Sequence, residues 1–265
     1  MSLEESASSP LEAYGPPPAA PAAEAPVVAA QVVGPSSRDR WVDFALVWGV
    51  AIGPLIFAST LGFLPGTQSD SSGQSPAMIS ILTSVFNSLS GLGVLAYVLW
   101  RQNRLPADIG LSFHISDIPV SFALYLLTYI AYMIVAASLP TSNLLTLSPG
   151  ETDSPFHDFV AAPVGAMMLL ILVNPFFEEL IVRAYAMVEI EELTRNRWLA
   201  IFVTALVQGY YHLYQGWQTA VSHTASFLVL SIYFSYSRRA TPLILSHMYA
   251  DAIGTYGLFA MMAEK

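Results

Sequence analysis

The chain has 265 residues, of which 54% are hydrophobic and only 11% charged. A soluble domain carries about 25% charged residues, so this composition excludes an ordinary soluble domain and points to a polytopic membrane protein. The net charge of -9 and the ten Lys and Arg leave no basic patch to neutralise nucleic-acid phosphates, and the absence of cysteine excludes disulfides, thiolate nucleophiles and Cys-ligated metals.

Residues 1 to about 38 are rich in Pro, Ala, Glu and Ser. The start MSLEESASSP is acidic and lacks the apolar core of a secretory signal. YGPPPAAPAAEAP cannot bury a core, so a disordered cytoplasmic tail is expected here, followed by an integral membrane domain over 39–265. A helix needs about 20 mainly apolar residues to cross the hydrocarbon, and the remaining chain offers about seven such stretches, with about six to eight as the range. They run from Trp41 to Leu64 with a kink at Pro54, Ala77 to Trp100, Ile118 to Leu139, Ala161 to Glu192, Trp198 to Tyr214, Trp217 to Tyr236 and Thr241 to Met262. The fold class is therefore all-α, a transmembrane bundle. RQNRLPADIGLSFHISD, between the second and third stretches, is an interfacial loop, and Pro140 to Asp158 is another. Thr241 is expected to cap the last helix, with Pro242 in its first turn.

The arginines orient the bundle. Arg38, Arg40, Arg101, Arg104, Arg195, Arg197, Arg238 and Arg239 all flank predicted membrane boundaries, and they alternate with loops 65–76, 140–160 and 214–217 that hold no Lys or Arg. Positive-inside reasoning places the arginine side and the amino terminus in the cytoplasm.

Within the fourth stretch, NPFFEELIVR places Glu178, Glu179 and Arg183 at membrane depth. Ionisable groups there cost about 2.5 to 3.5 kcal/mol unless paired or facing a polar cavity, and they mark a functional site by default. Glu179 and Arg183 are four apart and share a helix face, as an ion pair would. Glu178 falls off that face and is free for other work. Gln208 and His212 repeat the spacing on the fifth stretch, as do His247 and Asp251 on the seventh. Counted from the apparent membrane edges at about 1.5 Å per residue, Glu178 lies about 15 Å deep, His212 about 20 Å, His247 about 9 Å and Asp251 about 15 Å. One polar pocket nearer the cytoplasmic face accommodates all four. A buried carboxylate beside two imidazoles suits a general base, and His247 with Asp251 suits oxyanion stabilisation. His223 is expected as a packing residue, His114 and His157 as solvated loop residues, and Asn174-Pro175 as a break one turn before the glutamates.

Glu178-Glu179-x-x-x-Arg183, then His212 within QGYYHLYQG, then His247-x-x-x-Asp251, resemble the three motifs of the CAAX-protease and bacteriocin-processing family. These are intramembrane glutamic endopeptidases related to the type II CAAX prenyl endopeptidase. The resemblance covers roughly residues 100 to 260, with PADIGLSF and HLYQGW also similar to the family. It implies Glu178 as the base that activates water, His212 as its assistant, His247 and Asp251 as the oxyanion side, and Glu179 with Arg183 as architecture. Asp251 stands where Asn is frequent, and Gln208 stands where the family usually has Phe, which leaves one pocket wall open. The resemblance further implies a membrane-anchored or lipid-modified protein substrate, no cofactor, no metal and no nucleic acid. It places the chain in the bilayer, either as a CAAX-type protease or as one that trims carboxyl-terminal anchors, and the Pro/Ala-rich, lysine-poor composition points to a bacterial cell membrane. A cytoplasm-facing pocket fits the second of these less well. The alternatives are a non-catalytic scaffold or immunity protein of the same fold, a zinc-dependent protease using the two histidines, and a proton-coupled transporter. No paired interrupted halves support the transporter.

Overall fold

The structure is a computed structural model that describes residues 35–63, 77–140 and 163–263. Most of the proline-rich tail, the loops 65–76 and 140–160, and His157 lie outside the described residues. Every regular element among the described residues is helical. We number them α1 Ser37–Ala51, α2 Gly53–Phe63, α3 Ala77–Arg101, α4 Asp117–Ser138, α5 Val164–Phe177, α6 Ala186–Thr194, α7 Arg197–Tyr211, α8 Trp217–Ser237 and α9 Thr241–Ala263. A π-helical segment, Glu178–Tyr185, joins α5 to α6.

Local chemistry accounts for the boundaries. Ser36 and Asp39 form a capping box at the start of α1, and Asn196 accepts from the Leu199 backbone at 3.0 Å to start α7. Glycine and proline end α1: the chain breaks at Ile52, before Gly53 and Pro54, and α1 and α2 meet at 46°. Thr241 does not cap α9 as expected. It opens the helix itself, and its hydroxyl donates to the Ser112 carbonyl at 2.8 Å. The predicted interfacial loop between α3 and α4 folds down onto the bundle. Pro106–Ile109 forms one 3-10 turn, buried Ile109 plugs the core, and Gly110 at φ 90° accepts from the Ala240 backbone at 2.8 Å.

Val164–Thr194 is the central rod, and side chains 177–190 are buried without interruption. α3 packs on α5, α9 on α5 and α4, and α8 on α4 and α7. α7 and α8 approach closely at Gly209, where an added Cβ would lie 1.8 Å from Thr224 Oγ1. Small residues permit such contacts between membrane helices.

Among the described residues, three helices are long and apolar enough to cross a membrane, or four if the bent α1–α2 pair is one span. That is fewer than the seven expected. α7 has only 15 residues, and α8 interrupts its apolar surface with Gln218, Ser222, His223, Thr224, Ser226 and Ser231, several of them turned inward.

At one end, buried carboxylates gather the arginines. Asp43 pairs with Arg101, Glu189 with Arg40 and Arg104, and Asp117 with Arg239; each of these carboxylates is almost completely inaccessible. This belt ties α1, α3, α6, α4 and the start of α9 together.

Candidate active site

The π segment sets the geometry. Its i→i+5 pattern winds the chain more slowly than an α-helix, so consecutive residues Glu178 and Glu179 both turn into the bundle. π segments of this kind recur at functional sites. Here the segment begins three residues after Pro175, which removes a backbone donor from the preceding turns.

Glu179 and Arg183 form the expected ion pair, and both are fully buried. Glu179 does more than that. Its Oε1 lies 2.9 Å from His247 Nδ1, so the carboxylate that neutralises Arg183 also orients an imidazole. A carboxylate only accepts, which places the proton on Nδ1 and turns Nε2 towards Glu178. The sequence pairs Glu179 with Arg183 alone, because helical spacing carries no information about a helix some 70 residues away.

Glu178 accepts from two amides. Asn174 Nδ2 donates to Oε1 at 3.2 Å, and Gln208 Nε2 donates to Oε2 at 2.7 Å. Chemistry assigns the Gln208 orientation: its other end faces Arg183 Nη2, a pure donor, so Oε1 must be there. Gln208 is thus a buried connector between Arg183 and Glu178, not a pocket wall. Neither amide stands out among the predicted site residues, although Asn174 lies one helical turn before Glu178 and Gln208 lies one before His212.

The two histidines converge on the same oxygen. Glu178 Oε2 is 4.0 Å from His212 Nε2 and 4.0 Å from His247 Nε2. Both ring nitrogens of His212 are buried without a hydrogen-bond partner, a costly arrangement unless they serve a ligand or water. Stacking holds that ring, with His223 at 5.0 Å and Phe227 at 5.2 Å between centroids. His223, expected as a packing residue, is one, and what it packs is His212. Tyr211 adds a buried hydroxyl beside the Glu178 carboxylate. Asp251 lies at the margin, with Oδ1 3.6 Å from His247 Nε2, beyond hydrogen-bond length.

All six predicted residues therefore belong to one cluster. Along the helix at about 1.5 Å per residue, Glu178 is about 16 Å from Glu189 of the arginine belt, near mid-height of a hydrocarbon core about 30 Å thick. Among the described residues no group of three or more His, Asp or Glu is arranged to hold a metal ion.

Residues 160–253 match the family model described as type II CAAX prenyl endopeptidase, Rce1-like. Over that segment the chain is similar to this family. The match contains Glu178, Glu179, Arg183, His212, His247 and Asp251, and it begins well after the PADIGLSF loop at 106–113. No curated protein and no solved structure matches the chain. The match and the apolar helices together support an integral membrane protein.

Proposed function

We propose that this chain is a glutamic intramembrane endopeptidase that hydrolyses a peptide bond in a membrane-associated protein. The observation that carries it is Glu178: amides hold the carboxylate on one side, and two imidazole nitrogens face the same oxygen at 4.0 Å on the other. A water oxygen within about 2.8 Å of both Glu178 and an imidazole fits such a spacing.

Glu178 takes a proton from that water, and the oxygen adds to the scissile carbonyl carbon. His212 Nε2 holds the water or the carbonyl. As an imidazolium, His247 donates Nδ1–H to Glu179, which fixes the ring, and Nε2–H to the oxyanion, with Asp251 beside it. The carbon–nitrogen bond then breaks, and the proton held by Glu178 passes to the departing amine, leaving a new carboxyl terminus. The bundle excludes bulk water, which strengthens each of these interactions. The substrate is a membrane-anchored or lipid-modified polypeptide, and the site of action is a bacterial cell membrane with the amino terminus inside.

Glu178→Ala and His212→Ala test the mechanism. Both variants should accumulate in the membrane while substrate processing falls by about 10²- to 10⁴-fold. Processing at the normal rate in either variant removes the assigned mechanism. In a scaffold or immunity protein, the same substitutions would lower accumulation and change no cleavage.

A further inference from the structure

We propose that His223 is a positioning residue for the hydrolysis: with Phe227 it holds the His212 imidazole by its ring faces and leaves both nitrogens of that ring free for the reaction. The role rests on the glutamate mechanism above and falls to a buried histidine that this mechanism leaves idle.

The two histidines facing Glu178 are held in different ways. His247 is gripped by its edge, with Nδ1 2.9 Å from Glu179, so one of its nitrogens is already committed. His212 has no such grip. Its Nδ1 and Nε2 are both buried, and neither has a hydrogen-bond partner among the described residues. Helix regularity does not order it either, because His212 lies just past the end of α7, where the chain passes into the 3-10 turn Leu213–Gln215. Ring faces remain. His223 and Phe227 are four apart on α8 and share a helix face. They meet the His212 ring at 5.0 and 5.2 Å between centroids, each inclined 29° to it, within the range of offset-stacked pairs.

The support extends outward. His223 is itself stacked on Phe227 at 5.6 Å and 15°, and Tyr132 of α4 meets it edge-on at 5.0 Å and 60°. The Arg183 guanidinium lies 5.5 Å from the Phe227 centroid, so cation–π attraction ties the second ring to the buried Glu179–Arg183 pair. Gly209, three residues before His212, makes the arrangement possible. Its missing side chain lets α7 approach α8 at Thr224, the neighbour of His223; even a methyl group there would sit 1.8 Å from Thr224 Oγ1. The consequence is chemical. A hydrogen bond to one imidazole nitrogen decides where the proton sits on the ring. A ring held only by its faces keeps its plane whichever nitrogen is protonated, so His212 can take up or release a proton without losing its place.

Nuclear magnetic resonance of labelled histidine reads this clamp without turnover. The chain has five histidines, and the signal lost in His212→Ala belongs to His212. His223→Leu keeps bulk but removes the aromatic face. In that variant the His212 ring protons should lose the upfield shift imposed by the stacked ring, and the signal should broaden. Cleavage of the precursor that accumulates in a Glu178→Ala strain should fall about 10- to 100-fold, as for a displaced catalytic group, with the amount of protein in the membrane unchanged. His223→Phe keeps the stack whatever the fate of the leucine variant, and it should leave the His212 signal in place and cleavage near native. Loss of either in an accumulating phenylalanine variant, or an unmoved signal in His223→Leu, overturns the inference. The two readings fail separately: an unmoved signal removes the clamp while Glu178→Ala still abolishes cleavage, and normal cleavage by Glu178→Ala removes the mechanism whatever the signal does.

Discussion

Gln208→Leu probes the link that connects charge to chemistry. In the native protein the buried amide accepts from Arg183 and donates to Glu178 at 2.7 Å. Leucine keeps most of the volume and removes both bonds. Hydrogen bonds to charged groups contribute about 1.5 to 3 kcal/mol each in soluble proteins, whereas polar contacts between membrane helices average about 0.6 kcal/mol with a maximum of about 1.7. The difference arises because a chain unfolded within the bilayer also finds partners. Both of Gln208's partners are charged and buried, so each bond belongs near the overlap, about 1.5 kcal/mol. The sum is about 3 kcal/mol, or roughly a hundredfold in the folding equilibrium. Tryptophan fluorescence during SDS titration of mixed micelles measures it, since the chain carries five Trp. Glu178 loses its shorter amide contact and keeps the longer one from Asn174 at 3.2 Å, so cleavage should also slow by about ten- to a hundredfold from loss of alignment. Gln208→Glu separates the two effects: it keeps an acceptor for Arg183 but sets a second carboxylate against Glu178, so stability falls less and cleavage falls as far. Native stability and native cleavage in Gln208→Leu would refute the connector role.

Three further outcomes follow from the same geometry. Glu179→Gln leaves Arg183 buried without its countercharge and loosens His247, so membrane accumulation should drop with a loss of about 3 to 5 kcal/mol; unchanged unfolding in SDS contradicts this. Gly110→Ala forces a side chain onto φ 90° with its Cβ 2.4 Å from the Arg238 carbonyl. That should cost at least about 1 to 3 kcal/mol, read as a lower aggregation temperature in detergent, and an unshifted temperature argues against the tight contact. Finally, cleavage should persist in the presence of a strong zinc chelator, because Glu178 supplies the base; loss of activity restored by added zinc would return the metal-dependent alternative.

Much of this bundle is written in its hydropathy. The helices start and stop within a few residues of the apolar stretches because caps, Gly and Pro mark their ends. Arg195 and Arg238, both at positive φ, close α6 and α8. The polar site is legible for a related reason: Glu178, Glu179, His212, His247 and Asp251 stand out against lipid-like neighbours. Two things are not legible. An i→i+5 helix has no side-chain signature of its own, so the inward turn of both glutamates appears only in three dimensions. Asn174 beside Pro175 and Gln208 one turn before His212 are noticeable in the sequence, but nothing there shows that both donate to Glu178. The number of spans is blurred for the opposite reason, since α7 and α8 belong to the bundle by packing more than by apolar length.

The arginine belt changes character between synthesis and folding. A nascent chain presents eight exposed cations to the insertion machinery, enough to fix which ends stay inside. In the finished protein most of these cations face Asp43, Asp117, Glu189, Glu191 or Glu192. Arg38 and Arg195 form no ion pair among the described residues. Near a membrane surface each free basic residue attracts anionic headgroups by about 1 kcal/mol. The folded protein should therefore grip acidic lipids like a doubly charged patch, far more weakly than its count of arginines implies.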